Sequence, residues 1–273
     1  MPELPEVETF VRALNFGGMT GEPILHRQIV SADLFWERTL AFSDSDAGFL
    51  PWFPGKLIQE ITRRGKYIVI SIPPKFLLIH LRMSGDIRVE REDAALIRQH
   101  DRFLLHFSDG FRMAFNDTRK FGRIWLTEHT EPVFSKLGIE PLSDEFNADW
   151  LTERLASRKT ALKPLLLDQT FIAGLGNIYT DEALFLAGIR PTRKACELTS
   201  AEISRLPDAI KTVLKTGIRN NGASIDWVYR GGNFQNCFQV YQRVGQACYR
   251  CGAPIEKIVV NQRGTHFCPH CQQ

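Results

Sequence analysis

Four of the six cysteines stand as Cys248-x2-Cys251 and, after sixteen intervening residues, Cys268-x2-Cys271. In a reducing compartment, two such pairs read as one zinc site rather than as disulfides. Four thiolates close a tetrahedral shell, so the zinc is structural and leaves no open position for chemistry. The last ~30 residues cannot bury enough surface to fold without that metal. Between the pairs lies Arg263-Gly264-Thr265-His266, where the tip of a β-hairpin is expected and where Arg263 can be presented to a phosphate. An exposed hairpin arginine with no task is an equal reading on spacing alone. Cys196 and Cys237 are isolated and read as small buried hydrophobes.

The chain has 273 residues, room for roughly two domains with real cores. Its net charge of +3 does not announce a polyanion binder. The distribution says more: basic residues gather at Arg63-Arg64-Lys66, Arg119-Lys120-Arg123, Arg158-Lys159-Lys163 and Arg190-Arg193-Lys194, and acids between Glu140 and Asp149. Basic patches of this kind can hold a phosphate backbone, although any one of them alone reads as a solvated face. The N-terminus lacks a signal-peptide apolar core, and no run reaches the ~20 apolar residues of a membrane span. A cytoplasmic protein is expected, with no membrane partner.

Val7, Phe10, Val11 and Leu14 recur at helical spacing and predict a helix over 5–15. Seven β-rich runs follow: Leu57–Ile61, Tyr67–Ile72, Phe76–Leu81, Ile87–Glu90, Phe103–Phe107, Phe111–Phe115 and Arg123–Leu126. Turn signals separate them, which predicts an antiparallel sandwich or barrel fronted by the first helix. Residues 138–142 read as a linker. Beyond it the pattern is helical: Asp149–Leu155, Thr160–Leu167 with Pro164 in its first turn, Asn177–Ala187 closed by Gly188, and a helix running from a Thr199/Glu202 capping box towards Gly217. The segment 17–56 has no functional reading. The predicted domains are 1–137, 138–238 and 239–273.

Three further features carry chemistry. Pro2 becomes a free secondary amine if Met1 is removed. An α-amino group titrates near ~8, so much more of it is unprotonated at neutral pH than of a lysine. It can attack carbon and form an iminium, with Glu3 beside it to move protons. A Met-Pro-Glu start alone carries no such weight. Next, Asp168-Gln169-Thr170-Phe171-Ile172-Ala173-Gly174-Leu175-Gly176-Asn177 links two helices through a glycine-containing turn, a sequence-blind grip for phosphate at a helix N-terminus. Taken alone it is an ordinary helix hairpin. Lastly, Met83 and Phe121 accompany Arg119 as an apolar wedge able to fill the gap left by an extruded base. Singly, both apolar residues read as core.

Together these residues resemble the formamidopyrimidine-DNA glycosylase family over essentially the full length. The anchors are PELPEVET at the start, RRGKY around Lys66, HLRMSG around Met83, RKFG after Thr118, the DQ…AGLGNIY turn, and CxxC…RGTHFC-x2-C. The resemblance implies an α+β protein. Its parts are an N-terminal helix with an antiparallel β-sandwich, a helical domain of helix–two-turns–helix type, and a C-terminal β-hairpin zinc finger. It implies that Pro2 is the nucleophile and Glu3 the general acid/base. Lys66 and Arg263 assist β- and δ-elimination at phosphates, and Met83, Arg119 and Phe121 fill the void. His100, Arg119, Arg158 and Asn177 contact DNA, and Cys248, Cys251, Cys268 and Cys271 hold one zinc. The implied activity is release of oxidised purines from duplex DNA followed by strand cleavage at the abasic site. The protein is expected to act as a monomer, associated with the nucleoid through its substrate.

The stretch Ser224–Phe234 departs from the family. It is several residues shorter than the base-capping loop of 8-oxoguanine-specific members, with Ile225 and Trp227 where threonine and a basic residue are usual. That points towards ring-opened purines, hydantoins or other lesions. Alternatives are an oxidised-pyrimidine enzyme of the endonuclease VIII type, against which Pro2-Glu3-Leu4-Pro5-Glu6 speaks, and a non-catalytic binder of damaged DNA.

Overall fold

A computed structural model describes residues 1–93, 96–224 and 231–273. The substitutions at Ile225 and Trp227 therefore lie outside the described residues. The chain divides into two compact units, Met1–Ser135 with Ser224–Gly232, and Lys136–Ala223 with Asn233–Gln273.

The first unit opens with α1 (Leu4–Phe16). Val7, Phe10, Val11 and Leu14 are all buried, as the spacing requires. Among the described residues nine strands follow: β1 (Ile29–Leu34), β2 (Leu40–Ser43), β3 (Glu60–Arg64), β4 (Tyr67–Ile72), β5 (Lys75–His80), β6 (Gly85–Arg91), β7 (Asp101–Phe107), β8 (Phe111–Asp117) and β9 (Arg123–Thr127). They form two sheets, one ordered β1-β7-β8-β6 and the other β2-β9-β5-β4-β3. Phe103, Leu105, Met113 and Phe115 of the first sheet share one core with Ile68, Ile70, Leu77 and Ile79 of the second and with the apolar side of α1. This is a β-sandwich with a helix packed along β3 and β4. A short helix, α2 (Glu131–Phe134), ends the unit.

Two features of this unit differ from the sequence reading. The segment 17–56 supplies an edge strand to each sheet: β1 pairs antiparallel with β7, and β2 pairs parallel with β9. Edge strands solvated on one side have mixed polarity, so Val30 and Phe42 are exposed and no apolar run marks them. The run Leu57–Ile61 is displaced as well. The strand is Glu60–Arg64, whose register pairs Ile61 with Ile70 and Arg64 with Tyr67. Cross-strand pairing with β4, rather than the apolar content of 57–58, sets its limits.

The second unit holds α3 (Ala148–Leu155), α4 (Leu162–Leu167), α5 (Asn177–Ala187) and α6 (Ser200–Arg219). The Asn147 side chain caps α3 by accepting from the Trp150 N–H at 3.0 Å. Gly188 closes α5 in the left-handed region, at φ 70°. Thr199 and Glu202 form the predicted capping box of α6. Leu151, Leu162, Leu166, Leu184, Leu206, Ile210 and Leu214 are fully buried. The hairpin β10 (Glu256–Val260) and β11 (Arg263–Phe267) turns through Asn261 and Gln262, both at positive φ, and β11 packs on α5. Cys196 is exposed and Cys237 half-buried, contrary to the expectation that both are core. Lys163, grouped by sequence with Arg158 and Lys159 on a solvated patch, is fully buried on α4.

Candidate active site and nucleic-acid interface

Glu3 sits at the N-cap of α1, and its N–H donates to Glu6 Oε2 at 2.8 Å. Both carboxylates are buried, Pro2 is half-buried and Met1 is exposed. The cap fixes the backbone where Pro2 joins the helix. Asn15 Nδ2 donates to the Ile61 carbonyl at 2.9 Å, and Arg63 Nε donates to Glu8 Oε2 at 3.3 Å. These two ties lay α1 antiparallel to β3, so its first residues run towards the turn at Gly65 and Lys66. Arg63 also donates to the Gly65 carbonyl at 2.9 Å, bracing that turn.

Lys66 is buried with 5% exposure, beside His80. Burial, and then the positive charges of Arg82 and Lys66, push His80 down to about 3. The Arg82 N–H donates to His80 Nδ1 at 3.0 Å, so this ring is a neutral acceptor. The positive charge of this corner therefore belongs to Lys66 and Arg82.

Met83, Arg119 and Phe121 come together at the surface. Arg119 Nη1 lies 3.3 Å from Met83 Sδ, and its guanidinium carbon is 4.8 Å from the centre of the Phe121 ring. Met83 is 43% exposed and Phe121 47%, so neither belongs to the core. Asp117 joins the two turns that carry them. Its Oδ1 accepts from the Ser84 hydroxyl and from the Arg119 N–H, and its Oδ2 accepts from the Gly122 N–H at 2.6 Å. Arg82 and Lys120, beside Met83 and Phe121, sit at φ 54° and 61°. Non-glycine residues hold such conformations where surrounding bonds over-determine them. His100 is half-buried, with Nδ1 3.3 Å from Arg102 Nη2, and it lines a cavity of about 630 Å³ with Ser84, Arg88, Arg98 and Asn116.

In the second unit the turn between α4 and α5 is braced by its own side chains. Asp168 Oδ1 accepts from the Thr170 N–H and hydroxyl, both at 2.8 Å. Gln169 Nε2 donates to the carbonyls of Leu167 and Leu175, and its Oε1 accepts from the Gly174 N–H. Asn177, the first residue of α5, donates from Nδ2 to the Gly264 carbonyl at 3.0 Å. Arg263 stands exposed one residue earlier, as the first residue of β11, just past the hairpin turn. Arg158 is exposed, beside a cavity of about 410 Å³ that Trp150, Arg154 and Phe171 also line.

The four cysteine sulfurs lie within 4.8 Å of one another, with Cys251 and Cys268 3.5 Å apart and Cys248 and Cys271 3.9 Å apart. A tetrahedron with Zn–S bonds of about 2.3 Å has edges of about 3.8 Å, so the donor set fits one zinc. Backbone N–H groups of Arg250 and Cys271 approach the sulfurs of Cys248 and Cys268 at 3.4 Å, a stabilising contact for thiolate.

Sequence reasoning assigned no role to Asp117, Lys163 or Asp181. Asp117 was legible only as part of the Asp-Thr-Arg-Lys-Phe-Gly turn. Asp181 lies in a helix whose residues from Tyr179 to Phe185 are all buried, and a charge in such a helix requires a partner, which only the fold reveals.

Residues 1–124 match the formamidopyrimidine-DNA glycosylase N-terminal domain, 137–228 the formamidopyrimidine-DNA glycosylase H2TH domain, and 245–273 the zinc finger found in FPG and IleRS. The formamidopyrimidine-DNA glycosylase of Chloroflexus aggregans is 44% identical over 280 residues, covering 100% of this chain and 98% of the relative. A solved Lactococcus lactis FPG mutant bound to Fapy-dG containing DNA superposes with a TM-score of 0.91 at 38% identity, covering 100% of both chains. MutM in complex with carbocyclic 8-oxo-G containing DNA gives 0.90 at 40%, again covering 100% of both. With three consecutive domain matches, full-length identity of this size and the same fold, the chain belongs to the formamidopyrimidine-DNA glycosylase family.

Proposed function

We propose that the protein is a bifunctional DNA glycosylase and abasic-site lyase that removes oxidised purines from duplex DNA. The observation that carries this reading is the start of α1, where Pro2 is half-buried next to the buried carboxylate of Glu3, on a helix directed at the Lys66 turn. Family membership supports it, and the two solved relatives described above hold DNA with Fapy-dG and carbocyclic 8-oxo-G.

After removal of Met1, the Pro2 amine attacks C1′ of an extruded nucleotide. The glycosidic bond breaks and the base leaves with a proton; the C1′–O4′ bond of the sugar then opens, O4′ takes up a proton, and a ring-opened C1′ iminium remains. Glu3 moves the protons. The iminium makes the C2′ proton acidic. Its loss expels the 3′ phosphate, and a second elimination expels the 5′ phosphate. Lys66, Arg263 and Asn177 stabilise the departing phosphates as cations and donors. Met83, Arg119 and Phe121 fill the vacated stack, and His100 and Arg158 hold the backbone. In this reading 1–137 is the catalytic domain, 138–238 the DNA-binding helical domain and 239–273 the zinc finger. The substrate places the protein in the cytoplasm with the nucleoid, where it works as a monomer.

Borohydride trapping on a duplex with 8-oxoguanine opposite cytosine, read by peptide mass spectrometry, tests this. An adduct on Pro2 is expected. Trapping only on an abasic site would keep the lyase chemistry and reject the lesion. Trapping on neither would leave a non-catalytic binder of damaged DNA.

A further inference from the structure

The second unit holds a buried ion pair that the chemistry above does not use. Lys163 of α4 and Asp181 of α5 are both fully buried, and Lys163 Nζ lies 2.6 Å from Asp181 Oδ1. The other carboxylate oxygen, Oδ2, accepts from the His266 N–H at 2.9 Å and faces His266 Nδ1 at 3.1 Å. Lys163 Nζ also donates to the Gly264 carbonyl at 3.0 Å, the same carbonyl that accepts from Asn177 Nδ2. Every one of these bonds ends on α4, on α5 or on β11 within three residues of Arg263. The His266 ring also meets Tyr241 edge to face, with ring centres 4.8 Å apart.

An isolated buried charge is costly, and a buried pair is retained where its geometry is fully satisfied. Here the satisfied geometry has one mechanical result. It clamps residues 264 and 266 of β11 to two helices and leaves Arg263, one residue outside the clamp, exposed on a fixed backbone. A strand clamped at two alternate residues cannot rotate about its axis, so the direction in which Arg263 leaves the backbone is set. Asn177, through Gly264, is locked to the same strand. The Arg263 backbone and the Asn177 side chain are thus tied to the same short stretch of β11.

We propose that Asp181, with Lys163 and His266, is the positioning residue of Arg263, holding the hairpin so that this arginine meets the phosphate expelled in the second elimination. The proposal rests on the reading of Arg263 given above. Asp181 touches no substrate and acts through Arg263. Its loss affects the δ-elimination step and leaves Schiff-base formation at Pro2 in place.

The test compares Asp181→Asn, His266→Phe and Arg263→Ala in the full-length zinc-loaded protein on an abasic-site duplex at saturating DNA. Zinc content, circular dichroism, borohydride trapping and the ratio of δ- to β-elimination products are read for each. His266→Phe leaves no buried charge unpaired and keeps an aromatic ring against Tyr241, so it remains informative if Asp181→Asn does not fold. Expected is a fall of about tenfold in the δ/β ratio for Asp181→Asn, the size that loss of a charge-assisted hydrogen bond gives, and a smaller fall for His266→Phe. Trapping and zinc content stay at wild-type levels. Adding either substitution to Arg263→Ala should lower the ratio no further, because both act through one group. Additive losses, or a parallel loss of trapping, would make the cluster a general structural element and overturn the proposal. So would an unchanged ratio in folded Asp181→Asn and His266→Phe while Arg263→Ala loses δ product. If Arg263→Ala itself keeps the wild-type ratio, the reading of Arg263 fails first, and the positioning role falls with it.

Discussion

Glu3 and His80 are both buried polar residues of the first unit. The Glu3 carboxylate lies at the N-cap of α1 with 4% exposure, where the backbone is fixed by Glu6. Glu3→Gln keeps the shape and the cap and removes proton transfer. Base release should fall by about 10²–10⁴-fold while DNA binding stays at the wild-type level. Single-turnover excision beside a gel-shift titration decides the point, and unchanged excision removes Glu3 from the mechanism. His80 is neutral in the folded state because burial disfavours its charged form and, beyond that, protonation would place a third cation against Arg82 and Lys66. Its folded value of about 3 lies below the ordinary 6.5, so the unfolded chain takes up the proton first as pH falls. Stability from this group is present above about pH 6.5 and is lost on acidification towards pH 3, at about 1.4 kcal/mol per pH unit. His80→Gln should flatten that part of the profile. Urea unfolding of the variant and the wild type between pH 4 and 7 measures the difference, and parallel profiles would show that His80 contributes nothing to it.

The elements that carry the site are turns and caps braced by side chains. Gly122 follows Phe121, and a Cβ there would stand 2.4 Å from Phe115 Cζ, deep in the sandwich core. Phe115 is fully buried and cannot yield cheaply. Gly122→Ala should cost about 1–3 kcal/mol and displace the Arg119–Phe121 turn. A urea midpoint at the wild-type value would contradict this. The zinc hairpin follows the same logic with a metal as the brace. Its apolar cluster among the described residues is Phe185, Val240, Ile255, Cys248 and Cys268, with Ala253 and Cys271 beside them. Cys268→Ser should release the zinc, unfold β10 and β11 and lower DNA affinity. Zinc assay and binding on the same preparation test it, and a zinc-loaded variant with normal affinity would refute it. Most strands of the sandwich were legible from β-branched and aromatic runs, and two helix caps from Thr199 and Gly188, whereas the Asn147 cap of α3 emerged only in the structure. The edge strands β1 and β2 were not, because they are specified by pairing with β7 and β9 rather than by their own apolar pattern.

For the molecule as a whole, the net charge of +3 conceals a selective exposure of cations. Several arginines and lysines are spent internally: Arg63 on Glu8, Arg193 on Glu202, Lys75 on Asp44 and Glu128, and Lys163 on Asp181. Arg119, Arg158 and Arg263 stay exposed. Binding through such groups releases condensed counterions. With roughly six phosphates held, affinity should weaken by about 10³-fold between 50 and 200 mM salt. A titration whose log Kd is flat against log salt would remove phosphate contacts as the basis of binding. Among the described residues no helix is long and apolar enough to cross a membrane.

The sequence by itself determined the elements that answer to local rules. Helical spacing buried one side of α1, capping residues ended the helices, and cysteine spacing built the metal site. The site motifs were legible for the same reason, since PELPE, RRGKY and RGTHFC are contiguous runs. The tertiary structure alone decided which charged residues face solvent and which are buried. Lys163 and Arg158 lie five residues apart in the sequence and look alike there, yet one is sealed against Asp181 and the other is exposed. Their difference arises because a buried charge persists only where a partner from a distant segment meets it at hydrogen-bonding distance. The same holds for Asp117, whose carboxylate gains meaning only when folding brings Ser84, Arg119 and Gly122 around it.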